Sequence, residues 1–240
     1  LNRFATSKLL RFVEARLTPG GEFGLHLTAG AILLVLAVAV FGEVAEDVAN
    51  QDGVAAFDHA VSHWMHVHAR EPFTSIMLLL TYMHSVAGMA VLVALAALYF
   101  WRRQARYWLL ALLLSVPGGM LLNVLLKFIY QRARPVFDDP MLTLHTYSFP
   151  SGHTVAATLL YGLLAAYAVM TARSWTARAL AVAGALLMVV LVATSRIYLG
   201  VHYPSDVLAA AAEGCGWLAI CITACSTLRR RSEARGMAAA

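Results

Sequence analysis

Chemistry is written most densely into the stretch Ser148-Phe149-Pro150-Ser151-Gly152-His153-Thr154, where a polar connection gives way to a long apolar run. Pro150 and Ser151 mark a helix start, and the serine hydroxyl can cap the first free N–H groups. Gly152 leaves the backbone open to close approach by a ligand. A helix N-terminus with free N–H groups at the positive end of the dipole binds anions. His153, in the first turn, adds an imidazole that gives or takes a proton near neutral pH. The stretch reads as a phosphate cradle with a proton donor attached. Taken alone, the same residues also suit an ordinary capped helix bearing a surface histidine.

Two further stretches bear on that choice. Lys127 and Arg134 close the third apolar run seven residues apart, on one face if the helix persists, and Pro135 biases Arg134 out of helical geometry. A lysine point charge and an arginine fork together suit a phosphate with several oxygens. Ser195-Arg196 ends the fifth run, and His202-Tyr203-Pro204-Ser205-Asp206 opens the sixth. Asp206 stands four residues after His202, a spacing at which a carboxylate can hold one imidazole nitrogen and leave the other aimed at a substrate. Snorkelling cations and capping residues would account for each feature singly. They do not account for Lys127, Arg134, Arg196, His153, His202 and Asp206 all falling at run ends in so charge-poor a chain, because ions at membrane edges are costly and mark function.

The elements that must position these residues are apolar helices. Of 240 residues, 60% are hydrophobic and 13% charged, far from a soluble domain, and several runs approach the roughly 20 residues that span a bilayer. Six spans are predicted, at about 25–42, 73–100, 107–128, 153–171, 179–196 and 206–228, giving an all-α integral membrane bundle. In the second, Tyr82, His84 and Ser85 are expected to face other helices; Pro117-Gly118-Gly119 predicts a kink in the third, and Asn123 an interhelical hydrogen bond. With the N-terminus inside, most basic residues fall in the inside segments 1–24, 101–106, 172–178 and 229–240, as the positive-inside rule requires. The exceptions are Arg70, Lys127, Arg132, Arg134 and Arg196, and four of these five cluster at the ends of the third and fifth spans, on the same side as Ser151 and His153. Residues 1–24 read as a cytoplasmic segment leading into an uncleaved signal-anchor helix. The net charge of +5 is dispersed in short clusters and does not point to nucleic acid. Cys215, Cys221 and Cys225 lie in the last run and read as small buried hydrophobes.

The three stretches, K-x6-RP from Lys127 to Pro135, PSGH from Pro150 to His153 and SR-x5-H-x3-D from Ser195 to Asp206, together resemble the signature of the type-2 phosphatidic acid phosphatase superfamily, with no departure at a motif position. The resemblance covers 127–206 by motif and the whole chain by its six-span layout. It implies a membrane bundle with the active site at the non-cytoplasmic helix ends. It also implies a lipid phosphatase in which Lys127, Arg134, Ser151, the Gly152 backbone and Arg196 hold the phosphoryl oxygens. His202, oriented by Asp206, would attack phosphorus to form a phosphohistidine, and His153 would protonate the leaving oxygen and then activate water. From the residues alone, only the proximity of Asp206 favours His202 over His153 as nucleophile. No metal or other cofactor is implied, and no carboxylate cluster suited to a metal accompanies the motifs. The substrate class implied is a lipid phosphate or pyrophosphate: undecaprenyl pyrophosphate, phosphatidylglycerol phosphate, diacylglycerol pyrophosphate or phosphatidic acid. A phosphotransferase using the same intermediate and a non-catalytic lipid-phosphate transporter are the alternatives; the oligomeric state stays open.

Outside the signature, residues 43–72 form an acidic, histidine-rich external segment in which 54–69 is expected to be an amphipathic helix on the membrane. His59, His63 and His66 there have a spacing open to a metal or to a plain polar face. Leu142, Leu144, Tyr147 and Phe149 are expected to line an entrance for the lipid tail, and Asp138 and Asp139 to turn away from the phosphate. Glu213 is an intramembrane acid that calls for a polar partner in the bundle or for protonation.

Overall fold

The computed structural model describes residues 25–51 and 53–238. The expectations for residues 1–24, the cytoplasmic segment and the start of a signal anchor, lie outside the described residues. The regular elements of the described residues are all helices, in the order α1 (Leu25–Asn50), α2 (Val54–Val67), α3 (Phe73–Met83), α4 (Val86–Arg102), α5 (Arg106–Tyr130), α6 (Gly152–Thr171), α7 (Trp175–Tyr198) and α8 (Pro204–Ala238). Five of these, α1, α5, α6, α7 and α8, are long and apolar enough to cross a membrane, and α3 and α4, bent by 59° at the break between them, reach that length only as a pair.

The six predicted spans correspond to these elements, with two differences. Helix α1 runs on past Phe41 to Asn50, so Glu43, Glu46 and Asp47 lie on its last turns and not in an external loop. The second span is broken at His84-Ser85, where the Ser85 hydroxyl accepts from Gly88 N (3.3 Å) and restarts the helix. Gly88 is obligatory there: a Cβ would lie 2.1 Å from the Met83 carbonyl oxygen. In the third span, helix α5 runs unbroken through Pro117, and the adjoining glycines serve packing. A Cβ on Gly118 would meet the Trp217 ring at 2.7 Å and one on Gly119 the Leu159 side chain at 2.5 Å. Small residues at a membrane helix contact let backbones approach where lipid supplies no hydrophobic driving force.

Helix α6 is the central element, packed against α5, α7 and α8. Val155, Ala157, Leu159 and Leu163 on it are fully buried, alongside Phe100 of α4, Leu112 of α5, Val192 of α7 and Ala210 of α8. Outward-facing residues such as Val35, Leu121, Leu180 and Leu186 are exposed and apolar, the inverse of a soluble protein and the pattern lipid demands. Tyr82 belongs to that outer surface and not to the interior, since it is 60% exposed. Its neighbour Thr81 turns inward, with His84, which reaches Tyr161 Oη at 2.8 Å. The cysteines are free, with Cys221 and Cys225 buried.

Candidate active site

At one end of the bundle the last turn of α5, the first turn of α6, the last turn of α7 and the start of α8 meet. Their sequences bring this about. Gln131, in the left-handed conformation (φ 45°), stops α5 and releases the connection 131–151. Gly200 (φ 69°) reverses the chain between α7 and α8, with the Phe137 ring 2.8 Å from where a Cβ would stand. The Ser151 backbone N–H donates to the Asp206 carbonyl (3.1 Å), tying the start of α6 to the start of α8.

The residues of the three motif stretches are drawn into this region. His202 is buried, and its Nδ1 lies 3.2 Å from Asp206 Oδ2. An ionised carboxylate can only accept, so Nδ1 carries the proton and Nε2 presents its lone pair. Arg134 Nη1 stands 3.1 Å from that Nε2. Arg134 lies beyond the end of α5, as Pro135 led us to expect, and its remaining donors bind the carbonyls of Thr146 (2.6 Å), Val201 (2.6 Å) and Tyr147 (3.0 Å) and the Thr146 hydroxyl (2.9 Å). Lys127 Nζ donates to the Tyr147 carbonyl at 2.7 Å. His153, in the first turn of α6, lies within electrostatic reach of Arg196, His84, Arg134 and Lys127. Ser151 is fully buried, and its hydroxyl does not cap α6, contrary to expectation. It accepts instead from the Thr154 hydroxyl at 3.1 Å, which leaves its own proton to be donated. A Cβ on Gly152 would crowd Asn123 Oδ1 at 3.2 Å.

Arg196 is the most informative side chain. It is wholly buried, yet only Nη1 has a protein partner, the Thr81 hydroxyl at 3.0 Å; Nε and Nη2 have none. A buried guanidinium with two free donors is costly unless an anion completes it.

Burial pushes the His202 imidazole well below the ordinary histidine value of 6.5; Asp206 opposes the shift, and Arg134 and Arg196 add to it. It is therefore a neutral nucleophile or base at neutral pH. Burial also lowers the Arg134 guanidinium to about 10, against the pull of Asp206. Burial acts likewise on Arg132, but the carboxylates of Asp206 and Asp58 outweigh it and hold that guanidinium above its ordinary value.

Several contributors escaped the sequence reading. Arg132 counted there only as a cation against the charge bias, yet its Nη1 reaches Asp206 Oδ1 at 2.6 Å. The Ser148 hydroxyl donates to Asp206 Oδ2, and the Tyr203 backbone N–H to the same oxygen at 2.8 Å. Asp58 of α2, read as one of many external acids, is fully buried against Arg132 and Ser205. No local pattern marks it: Asp58 and Ser62 stand one helical turn apart on α2, and only the structure reveals that both are buried.

The expectations around the site divide. The amphipathic helix is present as α2. His66 Nε2 bonds Asp139 Oδ1 at 2.8 Å, its ring stacks on Phe137 (centroids 3.9 Å), and His59 packs edge-on to Tyr203. No group of three metal-ligating side chains occurs among the described residues. Asp139 is thus turned to His66, and beside it Asp138 is exposed. Leu142, Leu144 and Tyr147 line a 390 Å³ cavity that Arg134 also borders. Phe149 does not: it is buried against Phe41 and Tyr130 (centroids 5.8 and 5.0 Å). Asn123 makes the expected interhelical bond, with Glu213 Oε2 at 3.0 Å, so the intramembrane acid has its polar partner.

Comparison with known proteins defines the class. Residues 108–230 match the PAP2 superfamily. The chain is 31% identical over 182 residues to phosphatidylglycerophosphatase B of Bacillus subtilis, covering 73% of this chain and 82% of that protein. It is 30% identical over 183 residues to a probable lipid phosphate phosphatase beta of Arabidopsis thaliana (67% and 85%). The chain belongs to the PAP2 superfamily and is a multi-pass membrane protein. Among solved structures, the transmembrane PAP2-type phosphatidylglycerolphosphate phosphatase from Bacillus subtilis superposes with a TM-score of 0.71 at 27% identity, over 80% of this chain and 94% of that one. Aquifex aeolicus LpxE shares the fold, with a TM-score of 0.54 at 23% identity, over 68% and 94%.

Proposed function

We propose that this chain hydrolyses a lipid phosphate monoester or pyrophosphate through a phosphohistidine, at the non-cytoplasmic face of the membrane. The observation that carries the reading is Arg196, buried with two unshared donors beside His153 and His202. The phosphoryl oxygens would take the free donors of Arg196, the Lys127 ammonium, the Ser151 hydroxyl, the free N–H groups at the start of α6 and the Arg134 Nη1–H that otherwise meets His202 Nε2, which frees that nitrogen to attack. His202 attacks through Nε2, and the Nδ1–H···Asp206 bond stabilises the charge that develops on the ring. His153 protonates the departing oxygen and then takes a proton from the water that cleaves the P–N bond. Three cations and a helix terminus supply the charge stabilisation that phosphoryl transfer requires, so the reaction should not need a metal. The lipid tail enters past Leu142, Leu144 and Tyr147. The cytoplasmic bias of Lys and Arg supports the orientation. The named activity of the Bacillus subtilis relative puts phosphatidylglycerol phosphate first among substrates.

The test is phosphate release from phosphatidylglycerol phosphate, undecaprenyl pyrophosphate, diacylglycerol pyrophosphate and phosphatidic acid in detergent with EDTA. Wild type should release phosphate, and the His202→Ala and His153→Ala variants should not. Activity that survives His202→Ala would remove the phosphohistidine.

A further inference from the structure

The buried carboxylate of Asp58 is a feature the reaction as described does not use. It belongs to α2, a short helix at the rim whose outward side chains Phe57, Trp64 and Val67 are each more than half exposed. A fully buried acid on such a helix needs strong partners, and it has them. Arg132 Nη2 donates to Oδ2 at 2.7 Å, the Ser205 backbone N–H to Oδ1 at 3.0 Å, and the Ser205 hydroxyl to Oδ2. The other end of the Arg132 fork is equally committed: Nη1 reaches Ser205 Oγ and Asp206 Oδ1, both at 2.6 Å. The guanidinium also lies over the Tyr203 ring, 4.4 Å from its centroid. One planar group is therefore fixed at both ends and on its face, and one of those ends is the carboxylate that holds His202.

We propose that Asp58 is a positioning residue for the reaction at His202: by fixing Arg132 and the Ser205 N–H it sets the plane of the Asp206 carboxylate, so that Oδ2 meets the Nδ1 proton. The inference rests on the phosphohistidine reading given above. Asp58 acts in two ways. It ties down the first turn of α8, which carries Asp206. It also neutralises Arg132, so that Asp206 keeps its negative charge available to the imidazolium that forms when Nε2 attacks phosphorus. The charged groups facing His202 are Asp206 on α8, Arg134 in the connection and Arg196 on α7, with Arg132 one bond further on. Removing the Asp58 charge leaves Arg132 uncompensated in this set, which makes His202 harder to protonate and a poorer nucleophile.

The test is steady-state phosphate release from phosphatidylglycerol phosphate in detergent as a function of pH, on the full chain. We expect Asp58→Asn to lower kcat by about tenfold to a hundredfold, the usual effect of losing a group that orients a ligand or catalyst. KM should stay within about twofold, and the acid limb of kcat/KM should move to lower pH. Asp58→Glu should recover part of kcat, and Asp58→Asn combined with Arg132→Met should be no worse than Arg132→Met alone. A role confined to folding predicts less folded protein, with kcat per folded molecule and the acid limb unchanged; that result overturns the inference. Should Asp58→Asn not accumulate, Arg132→Lys, which keeps the charge and loses the fork, must show the same kcat loss at unchanged KM, and a wild-type kcat there overturns it as well. His202→Ala separates the two levels. If it releases phosphate normally, the phosphohistidine reading fails; if it is silent while Asp58→Asn is fully active, only the role of Asp58 fails.

Discussion

The two ends of α6 are built on opposite principles. At its first turn Ser151, Gly152 and His153 sit among buried cations, carboxylates and hydroxyls joined by hydrogen bonds. At the far end Tyr167 packs edge-on to Phe100, Trp108 and Tyr99 (centroids 5.0, 5.4 and 5.9 Å). Rings and close-packed small residues hold a membrane bundle together through dispersion. Buried ion pairs contribute little net stability but fix geometry, and an incompletely paired ion costs. The polar end therefore specifies an arrangement, and the aromatic end supplies the stability that permits it.

Substitutions should pull these two properties apart. The largest effect is expected from Arg196→Met: a loss of kcat of about 10²–10³-fold, as when a charge-stabilising donor is removed, with a thermal midpoint equal to or above wild type because a partly unpaired buried charge has gone. A marked fall in the midpoint would mean that Arg196 supports the fold. Phe100→Ala should do the reverse, lowering stability by roughly 3 kcal/mol while kcat at low temperature stays within about threefold. Gly214→Val drives a side chain into Thr158, already 2.8 Å from a Cβ at that position; overpacking of this kind costs about 1–3 kcal/mol, and thermal unfolding in detergent would register it. Acidification separates the ends more gently. The folded His202 resists protonation well below 6.5, while the unfolded chain takes up that proton as pH falls through 6.5. The stability due to this group is complete above 6.5 and declines below it, by up to about 1.4 kcal/mol per pH unit. His202 itself remains a competent nucleophile over that range. The smallest effect belongs to Glu213→Gln, which keeps an acceptor for Asn123 and should change kcat by less than about twofold.

Much of this arrangement was legible in the sequence. Run length and hydropathy placed six spans, and the motif residues Lys127, Arg134, Ser151, Gly152, Arg196, His153, His202 and Asp206 do assemble at one end. The failures have physical causes. Hydropathy carries no direction, so Tyr82 was sent inward along with His84, when the side chain that turns in with His84 is Thr81. Asp58, Arg132 and Ser148 were missed because their importance lies in pairings across 58 to 206, which no local spacing reveals. Phe149 looked like an entrance residue beside Tyr147, yet the chain turns into the protein at Ser148, so Tyr147 borders the cavity while Phe149 is buried against Phe41 and Tyr130.

Helix α1 packs chiefly on α8, the last element of the bundle. A Cβ on Gly30 would lie 2.3 Å from Thr223 Oγ1, and one on Gly216 would lie 3.3 Å from Ala37 Cβ. During synthesis α1 therefore enters the membrane long before its main partner exists and must wait, facing lipid or an insertion chaperone, until the final helix emerges. The same helix delivers Asp206, directly behind His202. Closure of the bundle and completion of the catalytic pair are thus one event in the life of a nascent chain, and a polypeptide released before that helix is made has neither a closed bundle nor a complete pair.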